Sequence, residues 1–388
     1  MKVNIAFICT EKLPCPAVKG GAIQIMIDGI IPFLRKNHKL TVFSITDPFL
    51  PEREVTEMVE FVRFPKETYE ADVAEELKCR EFDMIHVFNR PANIMNYKNA
   101  APDSAYVLSL HNDMFSELKL SRSESIKAIE SVDAITSVSK FIKNTVTVRF
   151  PQTEEKVHIL YSGVDLEKFP SPLSSEREKK RQEMRKVYQV ENKKVILFVG
   201  RLSKTKGPHL LIESLKFLID KYPEAVLMII GGKWFSDNTI TDYVKRLHDL
   251  SDSYKGHVIF TGYMPADQIP SMLLLGDIFV CSSQWHEPLA RVLYEAMAAG
   301  IPIVTTNRGG NAEVIEHGVN GIIIDDYDQP EAFARAIDQV LSQPVWAARM
   351  AKQGRQRVEA SHQFNHVADQ LEKIYVDILA HGNQDTKK

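Results

Sequence analysis

CSSQWHEPLARVLYEAMAAG, residues 281–300, carries two carboxylates, Glu287 and Glu295, across a junction between a strand and a helix. The apolar run Ile278–Cys281 reads as a strand that ends in two serines. A short turn with Trp285 and His286 follows. A helix is then expected to open at Pro288, where a missing N–H costs nothing because the first turn leaves its amides unpaired anyway. Gly300 stops the helix, and Pro302 comes shortly after. Glu287 would stand at the helix mouth, near the partial positive charge of its N-terminus. Glu295 lies further in, sharing a face with Val292 and Ala299 and next to Ala296. A carboxylate on a largely apolar face is costly to bury unless something hydrogen-bonds it. Adjacent hydroxyls on a sugar or a ribose would satisfy it, and the helix mouth would suit a phosphate. Read alone, the stretch also admits an ordinary N-terminal acid and a solvent-facing helix residue.

The rest of the chain bears on that choice. A length of 388 residues suggests roughly two or three domains. Hydrophobic content of 44% and charged content of 26% are those of a soluble globular protein. A net charge of −3 offers no basic excess to neutralise phosphates, which argues against a nucleic-acid partner. Cys9, Cys15, Cys79 and Cys281 form no CxxC pair and have no histidine at metal-ligand spacing, so neither a zinc site nor a disulfide framework is indicated. A reducing cytosol is the simplest setting. The apolar run VNIAFIC is too short for a leader peptide, and Glu11-Lys12 closes it. No apolar stretch of about 18 residues is present to span a bilayer.

From the start, Val3–Cys9 reads as a buried parallel strand because its apolar run does not alternate. A loop with Gly20 and Gly21 leads to a helix over Ala22–Arg35, whose Ile23, Met26, Ile27, Ile30, Ile31 and Leu34 share one face. The glycine pair would let backbone amides approach a phosphate or sugar, but the GxGxxG dinucleotide fingerprint is absent. Further strands are predicted at 40–45, 84–88, 106–110, 134–138 and 157–160. In a parallel sheet, ligands sit beyond the carboxyl ends of the strands. His111 falls at such an end, after Tyr106–Leu110, where it can equally be a structural or surface residue. Residues 171–186, SPLSSEREKKRQEMRK, read as a solvated helix and a domain boundary.

A second α/β set begins at Val195–Val199, followed by Gly200-Arg201-Leu202, Lys204, Lys206, Gly207 and a helix at Pro208. Arg201 and Lys206 are placed to neutralise a diphosphate, Arg by a two-pronged contact and Lys as a point charge. Strands are predicted at 225–230, 258–260 (followed by Gly262-Tyr263), 278–281, 303–305 and 321–324, and helices finish the chain. The expected fold class is therefore α/β, with two Rossmann-like domains facing across a cleft in a GT-B-like architecture. The expected boundaries are 1–165 for an acceptor-side domain, 166–190 for a charged linker, 191–365 for a donor domain, and 366–388 for a C-terminal helix and tail that packs back on the first domain.

Taken together and in this order, these residues resemble the family 4 retaining glycosyltransferases, from about Val3 to about Ala360. The resemblance is carried by Gly20-Gly21, Leu110-His111, Gly163-Val164-Asp165, Gly200-Arg201-Leu202 with Lys206-Gly207, the Glu287/Glu295 pair in EPLARVLYE followed by AMAAGIPIV, and Asn320-Gly321 after Glu313. The wording WHEPLARVLYEAMAAG is most similar to the spore coat protein SA branch. The resemblance implies transfer of a sugar from a nucleotide-diphosphate donor, such as a UDP-sugar, with retention and without a metal or other cofactor. It implies that Glu287 holds sugar hydroxyls and Glu295 the ribose. Arg201 and Lys206 would bind the diphosphate and stabilise its leaving charge. The backbone at Leu289, Ala290 and Arg291 would cap the phosphates, and Gly262, Tyr263 and Met264 would border the base. Gly20 and Gly21 would close on the donor, and His111 would contact its sugar. Two positions depart from the family pattern: Leu289-Ala290 where many relatives have Phe-Gly, and Tyr161-Ser162 where asparagine is common.

Rival readings remain at this point. Asp326 and Asp328 match a DxD metal pattern formally but read as polar turn residues. No lysine is singled out for pyridoxal phosphate chemistry. A coat or scaffold protein with the same fold and little turnover is the alternative from another class, and a sugar-nucleotide epimerase is a second enzymatic one. Lys140, Lys143 and Arg149 beside Phe141, Ile142 and Phe150 suggest either a membrane-docking face or a plain amphipathic surface helix. A cytoplasmic location is expected, with spore coat association as its variant. The donor's base and sugar, the acceptor and the oligomeric state carry no motif.

Overall fold

A computed structural model describes residues 2–172, 174–233 and 240–385, with side chains to residue 380. Of the tail expected over 366–388, residues 386–388 lie outside the described residues. The chain divides into one unit of Met1–Gly163 with Phe364–Lys388, and another of Val164–Gln363. Residues 166–190, expected as a charged linker region, fall within the second unit.

The first unit runs β1 (Asn4–Ile8), α1 (Ala22–Leu34), β2 (Lys39–Ile45), β3 (Arg53–Thr56), β4 (Val59–Phe64), α2 (Tyr69–Lys78), β5 (Met84–Phe88), α3 (Ile94–Ala100), β6 (Ala105–Leu110), α4 (Arg122–Glu130), β7 (Ala134–Ser137), α5 (Lys140–Thr147) and β8 (Val157–Ile159). Its eight-stranded sheet has the order β3-β4-β2-β1-β5-β6-β7-β8. All its pairings are parallel except β3 with β4. β1 does not alternate because helices cover both of its faces. Ala6 and Ile8 pack with side chains of α2 to α5, while Ile5 and Phe7 pack on the other face with α1. The β3–β4 hairpin is an addition to the predicted strands. Its turn residues Glu57 and Met58 have φ of 52° and 67°, yet neither is the Gly or Asn that usually announces such a turn.

The second unit runs α6 (Ser175–Val187), β9 (Lys194–Val199), α7 (Pro208–Ser214), β10 (Ala225–Ile230), α8 (Asp242–Ser251), β11 (Val258–Gly262), α9 (Ile269–Leu273), β12 (Ile278–Cys281), α10 (Arg291–Ala299), β13 (Ile303–Thr306), β14 (Ile322–Ile324), α11 (Pro330–Ser342) and α12 (Pro344–Ser361). Its sheet, ordered β11-β10-β9-β12-β13-β14, is parallel throughout. In both units the order reverses beside the first strand, between β1 and β5 and between β9 and β12. In open parallel sheets such reversal points are where ligands usually bind.

α6 is solvated along its outer side, as its composition suggests, but its inner side is engaged by arginines. Arg181 donates to the Gly276 carbonyl at 2.8 Å and to Asp277 at 2.7 Å, and Arg185 donates to the Leu275 carbonyl at 2.7 Å. Arg177 and Arg355 donate to the Ala299 and Ala298 carbonyls, 3.1 and 2.6 Å away, at the C-terminal end of α10. These arginines satisfy carbonyls that a helix end leaves without partners and place positive charge at its negative pole. Charge alone therefore describes only the outer side of the helix.

α13 (Phe364–Asp385) returns to the first unit and covers α1. Tyr375 is hydrogen-bonded to the buried His86, which also meets Ser109 Oγ at 2.6 Å. Burial holds the His86 imidazole down to about 3, so it is neutral at physiological pH. Gly29 of α1 lets the Phe364 ring approach, since a Cβ there would lie 2.4 Å from ring carbons. Gly29→Ala is expected to destabilise the first unit by about 1–3 kcal/mol, the usual cost of overpacking, read as a lower urea midpoint. An unchanged midpoint would show that α13 shifts without penalty.

Candidate functional site

The expected functional side chains of the second unit gather at the carboxyl ends of β9 and β12. The loops after these strands are clasped together: Ser282 Oγ donates to the Lys206 carbonyl at 2.9 Å, and the Gln284 amide donates to the Thr205 carbonyl at 2.8 Å. Glu287 is 3% exposed, so its charge needs partners. Lys206 Nζ forms an ion pair with Glu287 Oε1, and Ser283 Oγ donates to the same oxygen at 2.6 Å. Arg201 stands within electrostatic reach of Glu287. Burial pulls its guanidinium below the ordinary arginine value, Glu287 partly offsets this, and the group stays cationic. Burial, with the Glu287 charge second, pushes the nearby Cys281 thiol up.

The helix expected at Pro288 opens three residues later. α10 begins at Arg291, and Ala290 is extended with φ −73° and ψ 117°. The intervening residues are pinned to the loop after β13. The Gly310 amide donates to the Glu287 carbonyl at 2.8 Å, and the Ala290 amide donates to Asn311 Oδ1 at 3.0 Å. Pro288 therefore does not occupy a first-turn position, and Glu287 precedes the helix. Ser283, Gly309, Gly310 and Asn311 were not singled out as site residues. The Gly309-Gly310 pair after a strand was the available signal.

Glu295 is met by Arg291 Nη2 at 3.3 Å, one turn earlier on the same helix. Its side chain is 19% exposed and that of Arg291 12%, so the apolar-face reading is replaced by a half-buried ion pair. Leu289 is half-buried and Ala290 buried beside it. Gly262 closes β11, and Tyr263 and Met264 follow it, half-buried, at the same end of the sheet. Asp326 makes an exposed pair with Arg335 at 3.7 Å, and Tyr327, between Asp326 and Asp328, accepts at its carbonyl from Gln284 Nε2 at 2.7 Å.

In the first unit, Gly20 and Gly21 precede α1, Gly21 as its N-cap residue. His111 is buried beyond β6, and its amide donates to Asn89 Oδ1 at 3.1 Å. Asn89 is a residue that the sequence did not point to. On α5 and beyond it, Lys143 is paired with Glu154 at 2.7 Å and Arg149 with Asp113 at 2.6 Å, while Phe150 is buried in the core. Among the described residues, no helix is long and apolar enough to cross a membrane.

Residues 26–168 match the family described as Glycosyltransferase Family 4, and residues 179–357 the family described as Glycosyl transferases group 1. The chain is 52% identical over 382 residues to the putative glycosyltransferase YtcC of Bacillus subtilis (strain 168), with 98% of this chain and 94% of that protein covered. It is 46% identical over 373 residues to spore coat protein SA of the same organism, covering 96% and 99%. Among solved structures it is similar to Anabaena Alr3699/HepE in complex with UDP-glucose. The TM-score is 0.75 and the identity 22%, over 97% of this chain and 100% of that one. That likeness supports the α/β, GT-B fold class.

Gly309 has φ +60°, and a Cβ on it would lie 2.0 Å from the Glu287 carbonyl oxygen. Gly318 has φ +78° but faces open space. Gly318→Ala is expected to cost only the left-handed strain, roughly 1–2 kcal/mol, and Gly309→Ala distinctly more. Thermal unfolding of the two variants compares them directly. Equal losses would mean that the Glu287 segment yields freely.

Proposed function

This chain belongs to the family 4 glycosyltransferases, and on that premise we propose that it transfers a sugar from a nucleotide-diphosphate sugar to an acceptor hydroxyl, with retention at the anomeric carbon and without a bound metal. The observation that carries the proposal is the cluster of Arg201, Lys206 and Glu287 at the reversal point between β9 and β12. Two cations there can take a diphosphate and stabilise the charge that develops as it leaves. Because the chain supplies this charge itself, the reading assigns the metal no role. Retention is proposed from the family.

Each residue then has a task. Arg201 and Lys206 hold the diphosphate. Glu287, already a fixed acceptor, takes hydroxyls of the donor sugar, which replace Lys206 as the ammonium turns to phosphate. Glu295 exchanges its half-buried pair with Arg291 for the ribose hydroxyls, while the amides at Leu289, Ala290 and Arg291 cap phosphate oxygens. Gly262, Tyr263 and Met264 border the base. In the first unit, Gly20, Gly21 and His111 serve the donor sugar. The solved complex of Alr3699/HepE with UDP-glucose makes a UDP-sugar the first donor to test. A second reading, a cytoplasmic or coat-associated protein with little turnover, draws on the likeness to spore coat protein SA. The presence of both Arg201 and Lys206 beside Glu287 weighs against it, because one cation would suffice to offset that carboxylate in a scaffold.

Calorimetry and product assays with UDP-, GDP- and ADP-sugars, with and without EDTA, test the proposal. One donor should bind and turn over equally well in EDTA. Lys206→Ala should lower kcat about 10²–10³-fold, the scale for removing one electrostatic stabiliser. Glu295→Ala should weaken donor binding about 10–100-fold, equivalent to losing roughly 1.5–3 kcal/mol of charged hydrogen bonding. No binding of any donor would favour the scaffold reading, and activity lost in EDTA would overturn metal independence.

A further inference from the structure

We infer that Asn89 is a positioning residue for His111, braced by an ion pair between Glu11 and Arg90; the inference rests on the transferase reading of His111 above. All of these residues stand at the carboxyl end of the first unit's sheet. Glu11 follows β1 and Asn89 and Arg90 follow β5, which flank the point where the strand order reverses. His111 follows β6, the next strand.

The pairing of β5 with β6 shows why Asn89 matters. The register sets Phe88 opposite Ser109, and the Asn89 amide donates to the Ser109 carbonyl at 2.7 Å, as a continuing parallel ladder requires. The next rung would send the His111 amide to the Asn89 carbonyl. Instead, Asn89 turns into the left-handed region, with φ +58°, and its carbonyl accepts from Arg90 Nη1 at 2.7 Å. The Asn89 side chain completes the rung, Oδ1 accepting from the His111 amide at 3.1 Å. The residue is 4% exposed, so solvent is a poor substitute for that acceptor. Asparagine tolerates this backbone better than most residues and carries the needed oxygen. Glycine would meet the first requirement without the second.

Arg90 is fixed in turn. Its Nε and Nη2 donate to the two carboxylate oxygens of Glu11, each at 2.6 Å, in a two-pronged pair. The left-handed turn is thus held from β1 through Glu11, and it sets the backbone from which the His111 ring projects. Backbone strain maintained by surrounding contacts is a feature of functional sites.

The test compares wild type with Asn89→Gly, Asn89→Asp and His111→Ala. Turnover of UDP-, GDP- and ADP-sugars, thermal unfolding and hydrogen exchange at the His111 amide are measured on the full chain. Asn89→Gly is expected to lower kcat about 10–100-fold, the scale of a misplaced catalytic group, with donor KM within about threefold. Its His111 amide should exchange at least about tenfold faster. Asn89→Asp keeps the acceptor and should recover kcat to within about threefold of wild type, with normal exchange. The inference is overturned if Asn89→Gly keeps wild-type kcat while His111→Ala is inactive, or if Asp behaves as poorly as Gly. Unchanged exchange in Asn89→Gly overturns it as well, whether or not a donor is found. If wild type turns over no nucleotide sugar at all, the transferase reading is what fails.

Discussion

The second unit's loop architecture follows from the cost of keeping the Glu287 charge out of water. An ionised carboxylate buried alone would lose several kcal/mol of hydration, more than a loop can normally offset. Lys206 and Ser283 converge on one of its oxygens, while Gly310 takes its carbonyl. That set of partners fixes the loop after β12 against those after β9 and β13. It also explains why α10 begins late: the residues between Glu287 and Arg291 spend their backbone groups on the neighbouring loop rather than on a first helical turn. A charge with fixed partners, more than helix propensity, sets the conformation here.

The two units use a related device. Each ties the loop after its first strand to the loop after the strand across the reversal point with an ion pair. In the second unit the loop after β9 gives the cation and the loop after β12 the acid; in the first, the acid comes from β1 and the cation from β5. Their settings differ. The Glu287 side chain is 4% exposed and that of Glu11 33%, so Glu287 depends far more on its partners than Glu11 does. The more deeply buried pair belongs to the unit where a diphosphate is proposed to bind. The more exposed one holds a strained backbone turn, with two-pronged geometry in place of burial.

The strands were legible where apolar runs without alternation marked sheets covered on both faces, as in Asn4–Ile8 and Ile278–Cys281. Candidate charged residues could be proposed because glycine-bearing loops after such strands point to the ligand side of a parallel sheet. What stayed hidden depended on tertiary partners. Arg181 and Arg185 look like solvent residues until Asp277 and the carbonyls at the end of α9 are placed beside them. Pro288 looks like a helix opener until Gly310 and Asn311 take the backbone on either side of it. Asn89 carries no sequence signal, since asparagine in a loop is ordinary and only its backbone angle and its contact with His111 set it apart.

The C-terminal helix shows the same logic in a core. α1 presents Ile23, Ile27 and Ile30 to the sheet, but Gly29 leaves a groove on the side away from it, and a helix so open would expose apolar surface. α13 fills that groove with Phe364, Val367 and Leu371. Tyr375 then reaches a histidine inside the sheet, and Glu372 meets the buried His38 at 3.2 Å. Hydrophobic burial supplies most of the docking energy but would tolerate a helix slipped by a turn, because apolar contacts have little direction. The two polar contacts do not tolerate it: a slip of one turn, about 5.4 Å, would leave His86 without its phenol in a place that water does not reach. The last helix is thus held by its apolar face and registered by its two histidine partners.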